Sequence, residues 1–397
     1  MLTHCLRQGF DAEVKFRDFT VHLFTSMEMA EAEWSANSPM DEYWQPDYHK
    51  ALEGAAPGGL KPLYVTFWKG DEWAGLAYFQ YKKIDLSEAL KSGDRESATS
   101  AILRKLILSW LNMHTLVLGN MLLTGKYGCH FSPDIDLEQR PELVLWLTEW
   151  VSNWLKGNKI NIGPVLIKDF NFGQRFDFNE VCCVTEFCVQ PNMIFSVPEQ
   201  WNDMEDYVEA LKSKARIRYR RARNMIAGIT SRNLSLEDIE HFQEKMFQLY
   251  KNIAQNAGFN LFILDKAYFA ELKRRLGDDF VVKAYFDTEN QLVGFFTVLK
   301  NYDHMDAHFL GYEIKYNKEH QLYLNMLFDM IGEGIEKKVR KIFMSRTAVE
   351  IKSSVGAQAV DTYCYLFHRN KIYNKLVPSL VKRLYKAEEW QPRSPFK

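Results

Sequence analysis

Three segments of this chain carry residue types at spacings that suit chemistry. In the strand-like run Met305–Ile314, period-two alternation puts Asp306, His308, Leu310 and Tyr312 on one face and Met305, Ala307, Phe309, Gly311 and Glu313 on the other. An aspartate and a histidine on one face can take the proton an attacking amine releases, the ordinary imidazole pKa lying near neutrality. The plainer reading of His308 is a hydrogen-bonded packing residue. The second segment, Ser345-Arg-Thr-Ala-Val-Glu-Ile-Lys-Ser-Ser-Val-Gly-Ala357, ends a strand in polar residues, opens a short helix and closes at Gly356. Strand-to-helix junctions are where open α/β sheets place ligands, and Arg346 and Lys352 suit phosphate or carboxylate. An ion pair among Arg346, Glu350 and Lys352 is the competing expectation. The third segment, Val208–Ile226, reads as one helix, with Val208, Leu211, Ala215, Tyr219, Ala222 and Ile226 along a stripe. Off the stripe stand Lys212, Lys214, Arg216, Arg218, Arg220, Arg221 and Arg223. Like charges one turn apart repel by roughly a few tenths of a kcal/mol. Their concentration points to an anion held by residues such as Arg216 and Arg220: a coenzyme phosphate, a nucleic-acid backbone or an acidic substrate. A solvated helix paired with Glu205, Asp206 and Glu209 has the same sequence.

The elements that must position these residues follow a repeated order. In the second half, Val281–Phe286 and Leu292–Leu299 form a hairpin about Asp287-Thr-Glu-Asn290, followed by strand Met305–Ile314. A helix at His320–Lys338 lines up Leu324, Leu327, Ile331 and Ile335, and strands follow at Lys341–Arg346 and Val360–His368. The first half has the hairpin Leu63–Trp68 and Ala74–Tyr81 and a strand at His114–Leu118. A Trp-rich helix Pro141–Leu155 and strands Ile162–Ile167 and Val181–Val189 complete it, with a helical insertion at about Leu86–Met113. This alternation predicts an α/β fold, a mixed sheet covered by helices. It suggests two tandem copies of one fold, residues 1–190 and 191–397, divided at Gln190-Pro191-Asn192; two unrelated α/β domains would also alternate.

Composition bounds the reading. A chain of 397 residues with 47% hydrophobic and 14% aromatic residues has material for more than one core and is not disordered. A formal net charge of −1 selects neither nucleic acid nor an anionic membrane. The start, Met1–Phe10, lacks a signal peptide's apolar core, and the longest apolar run, Leu106–Leu118, is interrupted by Asn112 and His114. The six cysteines form no C-x-x-C pair, so no metal is expected and a reducing compartment is. The expectation is a cytoplasmic protein without stable membrane insertion. Gly258–Leu264 is a candidate lining of an acceptor pocket, and the basic, amphipathic Leu376–Trp390 is expected to pack on its own domain.

The order hairpin, strand, long helix, strand, short helix, glycine, strand resembles the GNAT acyltransferase superfamily, and within it the branch of Fem-type peptidyltransferases. The resemblance is carried by the basic helix Tyr207–Arg223, by the hairpin with Gly294-Phe-Phe296, and by Arg346…Glu350-Ile-Lys352…Gly356. Val355 stands where that branch has an aromatic residue before the glycine. The resemblance implies transfer of an acyl or aminoacyl group to an amine, possessed in that branch by a cell-envelope precursor. The donor is an acyl-CoA in the first expectation and an aminoacyl-tRNA in the second; a non-catalytic binding protein on the same fold is the third. Lys352 falls on the branch's lysine and Arg346 on the strand end before it, while His308 and Tyr312 are singled out as catalytic candidates by strand facing. The loop expected to hold a CoA pyrophosphate, Lys315-Tyr-Asn-Lys-Glu-His-Gln321, has no glycine; Asn317 can cap the following helix, and Lys315, Lys318 and Gln321 can supply contacts.

Overall fold

A computed structural model describes residues 10–83, 113–178, 184–255, 263–384 and 390–397. The expected insertion at Leu86–Met113, apart from Met113 itself, and most of Gly258–Leu264 lie outside them. In the first half, β3 (Lys61–Lys69) and β4 (Glu72–Lys83) form the expected hairpin and β5 (His114–Leu118) pairs antiparallel with β4. The helix Arg140–Gly157 buries Leu143, Leu147, Val151 and Leu155, whose spacing gives it one apolar face, and leads into β7 (Ile162–Asn171), parallel to β5. The second half repeats the order. β10 (Phe280–Phe286), β11 (Leu292–Asn301) and β12 (His304–Tyr312) run antiparallel in turn. The helix Leu322–Glu336 buries Leu324, Leu327, Ile331 and Ile335, and β13 (Lys341–Phe343) is parallel to β12.

What joins the halves is an exchange of strands. After β7 the chain forms β8 (Thr185–Ser196), which pairs with β13 of the second half; the second half's β14 (Gln358–His368) pairs with β7 of the first. β8 and β14 then pair antiparallel with each other. All fourteen described strands make one sheet, in which β7, β14, β8 and β13 are successive neighbours. Gln190-Pro191-Asn192, the expected division between the two copies, lies inside β8. Pro191 is tolerated at a register shift of the β8–β14 ladder, between the pairs Val360–Asn192 and Thr362–Val189. Ahead of β3, residues not assigned above form the hairpin β1 (Ala12–Phe16) and β2 (Phe19–Phe24) and two helices, Met27–Ser35 and Pro46–Ala55.

Three local expectations are corrected. Val208–Ile226 is two helices, Met204–Ala210 and Ser213–Met225, separated at an extended Leu211. The break is held by C-terminal residues: Leu211 bridges to Phe396 and Lys212 N–H donates to the Pro395 carbonyl. The apolar stripe is as read, since Leu211 and Ala222 are buried in the second-half core with Val208, Ala215, Tyr219 and Ile226 against it. Lys315–Gln321 is not a loop: Ile314–His320 is helical, and Gln321, left-handed at φ 49°, turns the chain into Leu322–Glu336. With no glycine in the segment, nothing favours an open nest over helix.

The third correction concerns β12. Between its pairings Val298–Ala307 and Phe296–Leu310 the ladder slips. Thr297 fills the gap, its hydroxyl accepting from Phe309 N–H at 2.9 Å and donating to Phe309 C=O at 3.0 Å. The bulge puts Phe309, like His308, on the Tyr268 side and returns Leu310 and Tyr312 to the side of Met305 and Ala307. His308 and Tyr312 therefore face opposite ways. Beyond the bulge, helix Leu236–Ala254 lies directly on Gly311, where a Cβ would stand 2.4 Å from the backbone of Leu249 and Tyr250. Gly311→Ala is expected to push the helix off the sheet and to lower unfolding free energy in urea by about 3 kcal/mol; a loss below about 1 kcal/mol would contradict this packing.

Candidate functional site

β12 and β13 pair only from His304–Lys341 to Asp306–Phe343. The chain after β13 then stays with β8, through Met344 N–H to Met193 C=O and Met193 N–H to Ser345 C=O, while β12 stays with β11. The two parallel strands splay apart, and among the described residues no strand pairs with the outer edge of β12 beyond Asp306. Ser345 Oγ, 3.4 Å from the Ala307 carbonyl, spans the rim.

One wall of the splay is a strained turn held by buried charge. Ser345, Thr347 and Ala348 are left-handed, with φ of 59°, 66° and 48°, a conformation costing a side-chain-bearing residue roughly 1–2 kcal/mol each. Lys352, 5% exposed, sends its ammonium back to the Arg346 carbonyl at 2.7 Å and the Ser345 carbonyl at 3.4 Å. Burial pulls its pKa down to about 7. Arg346 ion-pairs with Asp169 on β7 and donates to Thr362 Oγ1 on β14 at 3.1 Å. Asp169, fully buried, also pairs with Lys168, whose ammonium donates to the carbonyls of Asn120 at 2.8 Å and Leu123 at 2.6 Å. Burial raises the Asp169 pKa, but the Lys168 and Arg346 charges outweigh it and hold the carboxyl below its ordinary range. The expected Arg346–Glu350–Lys352 ion pair does not form: Arg346 and Lys352 turn inward, and exposed Glu350 meets Arg393 at 3.4 Å. Lys168 and Asp169 were missed above. Their signal was a charged pair directly after the apolar run Ile162–Ile167, within the same strand.

His308 lies on the wall facing the first half. Its Nε2 is 2.6 Å from the Tyr268 hydroxyl, its ring stacks on Tyr268, and burial pushes its pKa down to about 3, so it is neutral at physiological pH. Tyr268 and Phe309 share a core with Tyr43, Tyr48, Leu123 and Tyr127 of the first half, so the two halves meet at this wall. Tyr312, across the sheet, stacks on Tyr323 at the start of helix Leu322–Glu336, and burial raises its pKa. Asn317 caps that helix as expected, its Oδ1 accepting from Tyr323 N–H at 3.0 Å. Lys315 and Lys318 are exposed beside it.

The basic helix divides its charges. Arg216 is spent internally, donating to the carbonyls of Val208, Glu209 and Leu211 that end the preceding helix. Arg223 pairs with Asp329 at 2.7 Å. Lys212 donates to the Ser394 carbonyl at 3.2 Å, while Lys214, Arg220 and Arg221 point to solvent around Ile217, which is 67% exposed. The structure thus brings Arg346 and Lys352 together at the splay, gathers Tyr312, Lys315, Asn317, Lys318 and Gln321 at one helix start, and leaves Arg220 and Glu350 on separate outer surfaces. Among the described residues no group of His, Cys, Asp and Glu is placed to hold a metal ion, and no helix is long and apolar enough to cross a membrane.

No protein-family model matches the chain, and no curated protein matches it in sequence. Solved structures do match in fold. The crystal structure of FemX superposes with a TM-score of 0.52 at 9% identity, covering 92% of this chain and 99% of that one. The C-terminal domain of a putative lysylphosphatidylglycerol synthetase from Agrobacterium fabrum gives 0.47 at 8% identity, covering 90% and 96%. A tandem GNAT protein from the clavulanic acid biosynthesis pathway gives 0.47 at 9% identity, covering 82% and 88%. The FemX likeness, with the repeated order of strands and helices described above, shows a GNAT-like fold of Fem type made of two tandem GNAT-like units.

Two measurements probe the site's electrostatics. Asp169→Ala takes the shared carboxylate from buried Lys168 and part-buried Arg346 and should cost about 3–5 kcal/mol in urea unfolding; Arg346→Met should cost less, because Asp169 keeps Lys168. Equal losses would refute the shared clasp. For His308 the folded pKa, about 3, lies below the ordinary 6.5. The unfolded chain therefore binds the extra proton first as pH falls, and stability present above 6.5 is lost on the way down towards 3. The decline between pH 6.5 and 5 should be shallower in His308→Gln; an unchanged slope would show that His308 is not desolvated.

Proposed function

We propose that the chain transfers an acyl or aminoacyl group to an amine, with the donor's reactive arm lying in the splay of the second half, residues 191–397. The observation that carries this reading is the outer edge of β12 beyond Asp306, with which no strand pairs among the described residues and whose Ala307 carbonyl meets Ser345 Oγ. An extended amide-bearing arm can hydrogen-bond there as an added strand, which fixes its carbonyl for attack and removes water from it. Lys352 and Arg346 hold the opposite rim in its strained shape, so their part is to position. His308, neutral, and Tyr312 flank the opening from its two faces as candidates for handling the proton released by the attacking amine. The Fem-type resemblance supports the amine of a cell-envelope precursor as the acceptor.

For the donor, a CoA thioester is the broad expectation from the GNAT-like fold. One observation favours aminoacyl-tRNA instead. The N–H of Tyr323, in the first turn where a pyrophosphate would sit, is taken by Asn317, and the segment before it is helix rather than nest. The exposed cations Lys214, Arg220 and Arg221 then serve the nucleic-acid backbone.

The test is the melting temperature of the purified protein with acetyl-CoA, longer acyl-CoAs and charged tRNA, followed by transfer assays. Stabilisation by either donor class, and transfer lost in Lys352→Ala, is expected; no response to any acyl or aminoacyl donor overturns the proposal. Reversing Lys214, Arg220 and Arg221 to Glu should weaken tRNA binding at least about tenfold and flatten its salt dependence. Unchanged tRNA affinity returns the reading to CoA.

A further inference from the structure

At the foot of the splay, where β12 makes its last pair with β13, the carboxyl of Asp306 is 8% exposed and its Oδ2 has no hydrogen bond. Tyr43 of the first half, 1% exposed, turns its hydroxyl towards that carboxyl, near enough to pull its pKa down, yet this hydroxyl too is without a hydrogen bond. Asp41 brings a second carboxyl within electrostatic reach, fixed by Tyr43 N–H at 2.9 Å and Asn301 Nδ2 at 3.0 Å on its Oδ1. The nearest basic group is the His304 imidazole, whose Nε2 is 3.6 Å from Asp306 Oδ2, while its Nδ1 faces Asp303 at 3.3 Å. A donor and an acceptor that face each other at one buried spot without a well-made hydrogen bond are costly, and both atoms can accept.

We propose that Asp306, Asp41 and Tyr43 form a binding site for a primary ammonium group at the foot of the splay. An ammonium has three N–H donors and one positive charge. The site offers the Asp306 carboxyl, the Tyr43 hydroxyl and the Asp41 carboxyl, and among the described residues no lysine or arginine is paired with any of them. An anion is excluded by the two carboxyls, and a metal ion finds no converging ligand set among the described residues. Burial first, then the charge of Asp41, raise the Asp306 pKa well above its ordinary value, which favours a proton on Asp306 while the site is empty. Binding exchanges that proton, released to solvent, for the ammonium's charge. The inference deepens the proposed transfer reaction and rests on it for its meaning: a charged amine held here lies where the splay opens, and it is either the acceptor's amine or the α-amine of an aminoacyl donor.

The experiment uses ethylammonium chloride as probe, with 1-propanol as the uncharged control, on full-length protein carrying carboxyl-¹³C aspartate. Ethylammonium, and not 1-propanol, should move the Asp306 resonance from its protonated to its ionised position and release a proton. Asp306→Asn, close to isosteric with the protonated acid and so expected to fold, should bind the probe at least about tenfold more weakly; Tyr43→Phe should weaken it while leaving the fold intact. An unmoved resonance, or equal binding by wild type and Asp306→Asn, overturns the site. Displacement of the probe by glycyl-CoA but not by acetyl-CoA marks the donor's α-amine as occupant; binding alongside both marks the acceptor's. Probe binding with no response to any acyl donor keeps the ammonium site and removes the transfer reaction, and donor response without probe binding does the reverse.

Discussion

The antiparallel pairing of β8 with β14 is the constraint on which the molecule depends. β8 runs from the first half into the second half's sheet, and β14 of the second half stands beside β7 of the first, so the sheets of the two halves are continuous. The charged clasp follows from that geometry. β14 is the neighbour of both β7 and β8, which brings Arg346, at the end of β13, against Asp169, at the end of β7. A carboxylate buried to this degree is tolerable only because two cations converge on it, and they converge only because the strands are exchanged.

The clasp in turn shapes the splay. Arg346 is anchored through its side chain to the first half and through its carbonyl to Lys352, with left-handed residues on either side. Strain of this kind persists where surrounding contacts over-determine the backbone, and here both halves contribute to it. The opposite wall is likewise a joint product: Tyr43 and Tyr127 of the first half pack with Tyr268 and Phe309 of the second. The first half thus has a definite part in the site, because it supplies one end of each restraint on the second half's opening.

Much of this was legible from local pattern. The hairpins, the covering helices and the stripe from Val208 to Ile226 are written in three-and-four or alternating apolar spacing, which depends on near neighbours only. The Asn317 cap was legible for the same reason. What could not be read depends on distant partners. The exchange of closing strands joins residues far apart in sequence, as in the contact of Asp169 N–H with Cys364 Sγ. The bulge that separates His308 from Tyr312 is set by a hydroxyl on the next strand, Thr297, and an alternation count within β12 has no access to it. Lys352 looks on paper like a free cation. Only the turn of Ser345 and Arg346 shows that its ammonium is occupied by backbone carbonyls.

The exchange also has a consequence for how the chain is made. Residues 162–171 leave the ribosome long before residues 358–368, which are their sheet neighbour. While the second half is being synthesised, the edge of β7 stands open and Asp169 lacks Arg346. Open strand edges invite pairing with other chains, and contacts of large sequence separation form late. The edge of β7 therefore waits for one of the last strands translated, which pairs with β7 and β8 together.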